Sequence, residues 1–224
     1  MKNYLLLDLL YIFVSLFTAA AGIIYYRLQD RPAKFLTWYF ITVAIISPIL
    51  TYLAYHGKNS IRLYHFYDPI EYFYLVFAFS YWTGNAKLTK ILRYSIFGFL
   101  LLSAANSLRM PDINHYNYAA LTIAHLIYVF ISTWAIFYLV RGDRGNLAAN
   151  PVFWLAISLF VMSADNSLWY AINEYLPFDK YWILLLNVHK VIDIISFLLS
   201  AVGFFLYRYP ECAERASEVT AVLE

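Results

Sequence analysis

Residues 181–207 read YWILLLNVHKVIDIISFLLSAVGFFLY. The stretch is long enough to cross a bilayer, which takes about 20 mainly apolar residues in a helix. It nevertheless holds His189, Lys190 and Asp193 within an apolar run. A charge at the bilayer centre costs about 2.5–3.5 kcal/mol on insertion scales, so such residues pair with one another or line an internal cavity. Asp193 lies four residues from His189 and three from Lys190, so it shares a helical face with both. The segment reads as a membrane helix with one polar side turned towards other helices.

Six further apolar segments surround it, at about residues 4–26, 34–55, 68–82 (or from a turn earlier), 89–108, 118–140 and 151–175. The expected fold is therefore all-α, a seven-transmembrane-helix bundle over residues 1–209 with a short, loose tail over 210–224. Composition agrees: 62% of the chain is apolar and 13% charged, against about 45–50% and 25% in soluble domains. The apolar run after Lys2 is too long for the core of a signal peptide and reads as a retained first helix. Pro48 is expected to kink the second helix. A net charge of +2 with no basic run argues against a nucleic-acid partner. Cys212 is the only cysteine, which rules out a disulfide framework.

Lysine and arginine set the orientation. Arg27, Arg31, Lys34, Lys87, Lys90, Arg93, Arg141, Arg144, Arg208 and Arg215 fall on one side. Lys2, Lys58, Arg62, Arg109 and Lys180 fall on the other. Ten against five places the N-terminus outside and the C-terminus in the cytoplasm, in a cell inner membrane. With this orientation His125 and Lys190 sit about 10–14 Å deep from the outer surface, at about 1.5 Å per residue. Asp165 lies at a similar depth and Asp193 almost a turn deeper. Lys190 is expected to pair with Asp193, Asp165 or Glu71.

Glu71 belongs to the run His65-Phe66-Tyr67-Asp68-Pro69-Ile70-Glu71. Asp-Pro-x-Glu suits a helix start, with Asp68 as N-cap, Pro69 in the first turn and Glu71 reaching back. On that reading Glu71 is shallower than the other charges and His65 interfacial. Glu71 joins the polar layer only if the third helix begins near Leu63.

The segments Ser103-Ala104-Ala105-Asn106-Ser107-Leu108 and Ser163-Ala164-Asp165-Asn166-Ser167-Leu168 match at five of six positions. Leu121 and His125 correspond likewise to Leu185 and His189, and Ile131-Ser132 to Ile195-Ser196. Helices 4–5 and 6–7 are thus expected to be internal repeats. Asn106 would then be equivalent to Asn166 and His125 to His189, with the extra charges of Asp165, Lys190 and Asp193 in the second copy.

The candidate ligand-binding set is Glu71, Asn106, His125, Asp165, Asn166, His189, Lys190 and Asp193. One reading of these residues is structural ion pairing. Another is a ligand or ion site, because the carboxylates outnumber Lys190 and need protons, protonated histidine or a bound cation. Histidines and carboxylates also suit zinc or iron, although no recognisable metal-ligand spacing closes the set. A haem between His125 and His189 and a retinal on Lys190 have less support, and the sequence names no cofactor. No GxSxG, HExxH or phosphate-loop motif occurs, so catalytic residues are not identified.

The stretch Leu63-Tyr64-His65-Phe66-Tyr67-Asp68-Pro69-Ile70-Glu71-Tyr72 resembles a recurrent LYHIYTPIEF signature. It is similar to that of small uncharacterised seven-helix integral membrane proteins common in Bacteroidota, often encoded near histidine-kinase genes. The similarity extends to Asn187 and His189, and Asp68 stands where that signature has threonine. The resemblance implies a stand-alone membrane module and a signalling partner such as a histidine kinase. It implies no catalytic residue. The favoured expectation is a receptor-like sensor or small-ligand-binding module. The alternatives are an intramembrane metal-dependent lipid hydrolase and a proton- or ion-coupled transporter. Topology is directly testable. Cysteines placed at Asn59 and Gly145 should label from opposite sides with an impermeant reagent; labelling of position 145 from outside intact cells would reverse the orientation.

Overall fold

The computed structural model describes residues 2–83, 85–109, 118–142, 146–175 and 182–223. These residues form eight α-helices: α1 (Lys2–Ile24), α2 (Arg31–Tyr55), α3 (Ile61–Ser80), α4 (Ala86–Arg109), α5 (Tyr118–Gly142), α6 (Pro151–Tyr175), α7 (Trp182–Leu206) and α8 (Pro210–Leu223). Among them, α1, α2, α5, α6 and α7 are long and apolar enough to cross a membrane. The two other long helices are more polar: α3 carries Arg62, His65, Asp68 and Glu71, and α4 carries Lys87, Lys90 and Arg93.

Short polar signals set the helix ends. The Asp30 side chain accepts from the Ala33 backbone N–H at 3.2 Å, and Pro32 occupies the first turn of α2, where a missing N–H costs nothing. α2 stops at Gly57, whose φ of 60° suits glycine. There the Gly57 N–H bonds to the Ala54 carbonyl and the Lys58 N–H to the Leu53 carbonyl, the paired bonds of a Schellman ending. Asn85 caps α4 through the N–H groups of Lys87 and Leu88.

Two expectations about local structure are corrected. The third helix does not begin at Asp68. It begins at Ile61, with the Asn59 side chain accepting from the Ile61 N–H at 2.8 Å, and Pro69 lies inside it. Proline there removes one backbone hydrogen bond, whereas starting the helix at Asp68 would expose the N–H groups of a whole extra turn to an apolar surrounding. The tail expected to be loose forms α8. Cys212, Ala216 and Thr220 recur every four residues on its buried side, and the Thr220 hydroxyl donates to Asp30 Oδ2 at 2.5 Å. The Tyr207 hydroxyl donates to the other Asp30 oxygen at 2.7 Å. Burial pushes the Asp30 carboxyl above its usual range, and the donors Thr220, Tyr207 and the Ala33 N–H oppose that shift.

The helices close into a ring. α1 packs against α2 and α7, α2 against α3, α3 against α5, α5 against α6, and α6 against α7; α4 leans on α3, and α8 on α6. The outer surface is apolar: Leu6, Phe13, Phe97, Leu101 and Phe130 are all exposed, while Thr18, Ser158, Ser163, Ser196 and Ser200 are buried. That reversal of the soluble pattern suits a lipid surround. Small and hydroxyl residues let the backbones approach. The Ser158 hydroxyl lies 2.6 Å from both the Ser196 carbonyl and the Ser200 hydroxyl, and the Thr18 hydroxyl donates across to the Phe197 carbonyl at 2.9 Å.

Gly203 continues this close α6–α7 contact. A methyl there would lie 2.9 Å from Leu155 Cγ and 3.1 Å from the Pro151 carbonyl, whereas Gly98 on α4 has open space. Gly203→Ala should destabilise the bundle by about 1–3 kcal/mol through overpacking. Gly98→Ala should stabilise it by up to about 1 kcal/mol through helix propensity. Thermal midpoints in detergent should therefore move in opposite directions; equal shifts would contradict the α6–α7 packing.

Candidate functional site

Three residues of α7 turn the polar layer in two directions. Lys190 faces α1, and its Nζ donates to Asp8 Oδ1. The Tyr55 hydroxyl, at the end of α2, donates to the other Asp8 oxygen at 3.0 Å. The expected partners of Lys190 (Asp193, Asp165 and Glu71) are therefore replaced by Asp8. The cause is rotational: consecutive helical residues point about 100° apart, so Lys190 looks at α1 while His189 looks at α6.

His189 Nδ1 lies 2.5 Å from Asp165 Oδ2 on α6. Its ring stacks flat on Trp169, one turn beyond Asp165, with centroids 4.6 Å apart and planes 3° from parallel. Its other nitrogen, Nε2, is 3.6 Å from Asp193 Oδ2. With Asp165 ionised, the ring proton belongs on Nδ1 and the Nε2 lone pair is left facing Asp193. One ligand atom from each of Asp165, His189 and Asp193 lies within 4.8 Å of the others, in a partly to fully buried setting.

A second histidine–carboxylate pair joins α5 to α3. His125 Nε2 is 3.6 Å from Glu71 Oε1, and the buried His125 Nδ1 has no hydrogen-bond partner among the described residues. The ring meets Tyr128 edge-on at 5.3 Å and Tyr170 at a tilt at 5.4 Å between centroids. Glu71 reaches this level because α3 starts early, and the Tyr67 hydroxyl lies against its carboxylate.

The expected set is thus mostly convergent, with exceptions. Asp165, His189 and Asp193 come together between α6 and α7, and Glu71 meets His125 between α3 and α5. Lys190 is drawn off by Asp8. The Asn166 amide donates to the Met162 carbonyl of its own helix at 3.0 Å. The side chain of Asn106 lies outside the described residues. The two histidines meet carboxylates on different neighbours, α3 for His125 and α6 for His189, and α4 leans on α3 while α6 and α7 pack together. The matched sequence segments thus sit in differently packed hairpins.

Asp8 and Trp169 are the partners that sequence reading missed. Asp8 carried a signal: a carboxylate near the start of an apolar helix has to find a cation inside the bundle. Trp169 carried one too, since it lies four residues from Asp165 on one helical face. Chemically, the interior offers two imidazoles and three carboxylates, a set able to bind a cation or pass protons.

No family model, curated protein or solved structure matches the chain.

The Lys190–Asp8 contact defines a thermodynamic cycle. Lys190→Met alone and Asp8→Asn alone should each destabilise the bundle by about 3–5 kcal/mol, because each strands a partly buried charge. The double variant should recover much of the loss. Thermal or denaturant unfolding in detergent reads the cycle, and additive losses would show that the two residues do not act as a pair.

Proposed function

We propose that this is a multi-pass inner-membrane receptor-like sensor with seven spans, its N-terminus outside and its C-terminus in the cytoplasm. The five apolar helices support a multi-pass protein. The place of α3 in the ring, the packing of α4 along α3 and the basic-residue asymmetry support the remaining two spans and the orientation. In this reading a small ligand or a proton enters the outer-half interior lined by Glu71, His125, Asp165, His189 and Asp193.

The observation that carries the sensor reading is the double role of α7. Near its start it supplies His189, Lys190 and Asp193; just past its end Tyr207 holds Asp30, which also holds Thr220 of α8. The two places are about 20 Å apart along one rigid helix. A ligand that changes the pairing around His189 shifts α7 only if it binds two arrangements with different affinity. Such a shift would reach the Asp30 junction and alter how α8 is presented to a cytoplasmic partner such as a histidine kinase. A second reading, a metal-dependent lipid hydrolase, draws on the Asp165–His189–Asp193 grouping.

Native mass spectrometry of protein purified in mild detergent should show a small non-covalent species retained by the wild type. Asp193→Asn should lose it while keeping the folded mass and thermal transition. Release of fatty acid or headgroup from phospholipid vesicles by the pure protein would overturn the sensor reading in favour of the hydrolase.

A further inference from the structure

The Asp8–Lys190 pair is closed on itself: one cation, one anion, and a tyrosine hydroxyl on the second carboxylate oxygen. Lys190 therefore lends no positive charge to the contact between α6 and α7, where two carboxylates, Asp165 and Asp193, meet one imidazole. Asp193 is 8% exposed, and among the described residues no hydrogen bond reaches its carboxylate. The group it faces is His189 Nε2, 3.6 Å from Oδ2, too far for a hydrogen bond. A buried carboxylate without a donor is costly.

A second proton on His189 does not fill this gap well. It would cancel only one of the two negative charges, and a charge-assisted N–H to carboxylate contact closes to about 2.7–2.9 Å. A metal ion fits the spacing better. Two donors bound to one tetrahedral ion, each at about 2.0–2.2 Å, stand about 3.4 Å from each other. The other side of the ring is already arranged for such an ion. Asp165 takes Nδ1 at 2.5 Å and Trp169 fixes the ring plane, so the Nε2 lone pair is aimed towards Asp193. This is the carboxylate–imidazole arrangement that orients metal-binding histidines and strengthens them as donors. One ligand atom from each of the three residues lies within 4.8 Å of the others. Both carboxylates thus stand close enough to balance a divalent charge. Deeper in the bundle, the Ser158 hydroxyl against Ser196 and Ser200 holds the same two helices together.

We propose that the α6–α7 contact binds one divalent transition-metal ion of the zinc(II) type, with His189 Nε2 and Asp193 as its protein ligands and Asp165 positioning the imidazole. The remaining coordination positions fall to water. A nitrogen donor selects against magnesium and calcium, which prefer all-oxygen shells. The inference rests on the reading of this interior as a ligand site and names the ligand class.

Full-length protein in detergent, stripped with a chelator, is dialysed against zinc(II) in the presence of excess magnesium. One zinc per chain should be retained. Copper(II) in its place should give an electron paramagnetic resonance spectrum with one directly bound imidazole nitrogen. It should also quench the emission of Trp169, whose ring stacks on His189, and Trp169→Phe should remove most of that quenching. Asp165→Asn should weaken zinc binding about 10–100-fold, and Asp193→Asn and His189→Gln should each abolish it. His56→Ala, which removes an exposed imidazole at the end of α2, should bind zinc as the wild type does. The wild-type stoichiometry and copper spectrum need no variant to fold. A stoichiometry near zero, a copper spectrum without imidazole nitrogen, unchanged binding in His189→Gln, or binding lost in His56→Ala would overturn the proposal. Absence of metal binding together with a retained organic species in native mass spectrometry would overturn the metal and leave the ligand-site reading intact. Absence of both would overturn the two together.

Discussion

A charge inside an apolar bundle has to be answered within the bundle, and Lys190 against Asp8 is where this chain answers it most directly. The contact fixes more than itself. It joins α7 to α1, the two helices that close the ring, and through Tyr55 it reaches the end of α2. Once α7 is rotated so that Lys190 meets Asp8, the next residue back, His189, has to face α6. Asp165 and Trp169 then lie opposite it, and Asp193 follows one turn later on the same side. The rest of the polar interior is a consequence of that rotation.

The apolar surround also decides where helices begin. In water, Asp68-Pro69-Ile70-Glu71 is a convincing start, because water satisfies whatever the cap does not. Beside lipid or inside a bundle, an unwound turn would strand backbone donors, so the helix extends back to Ile61 and keeps Pro69 as an interior residue. The extension lifts Glu71 to the level of His125. A local capping rule and a long-range solvent constraint thus compete here, and the solvent constraint wins because it acts on several backbone groups at once.

This contrast explains what was legible in the sequence. Helix existence follows from hydropathy, and the positions of α5, α6 and α7 agree closely with the apolar segments. Which charge meets which does not follow, because it depends on the azimuth of each helix. His189 was placed with Asp193 by their i,i+4 spacing, which lies within one helix. Its shorter contact is with Asp165, across helices. The expected partners of Lys190, Asp193, Asp165 and Glu71, are the wrong carboxylates for the same reason: Asp8 is 182 residues away in sequence and adjacent only because the ring closes. The tail was misjudged on different grounds. Its buried positions are Cys212, Ala216 and Thr220, small residues that give little hydropathy signal, and its anchor is the Asp30 side chain in the turn before α2.

The resemblance of helices 4–5 to helices 6–7 teaches a related lesson. Matching letters at matching offsets put a histidine in α5 and another in α7, and both do face the interior. Their surroundings differ because the neighbours differ: His125 reaches α3, which packs directly on α5, and His189 reaches α6. The two sites are therefore chemically similar but mechanically distinct. His189 is clamped by a carboxylate and a stacked indole on one neighbouring helix. Among the described residues, His125 meets two tyrosine rings and a carboxylate 3.6 Å away. The helix that carries His189 continues to Tyr207, whose hydroxyl donates to Asp30, so the clamp at His189 and the anchor of α8 lie on one helix.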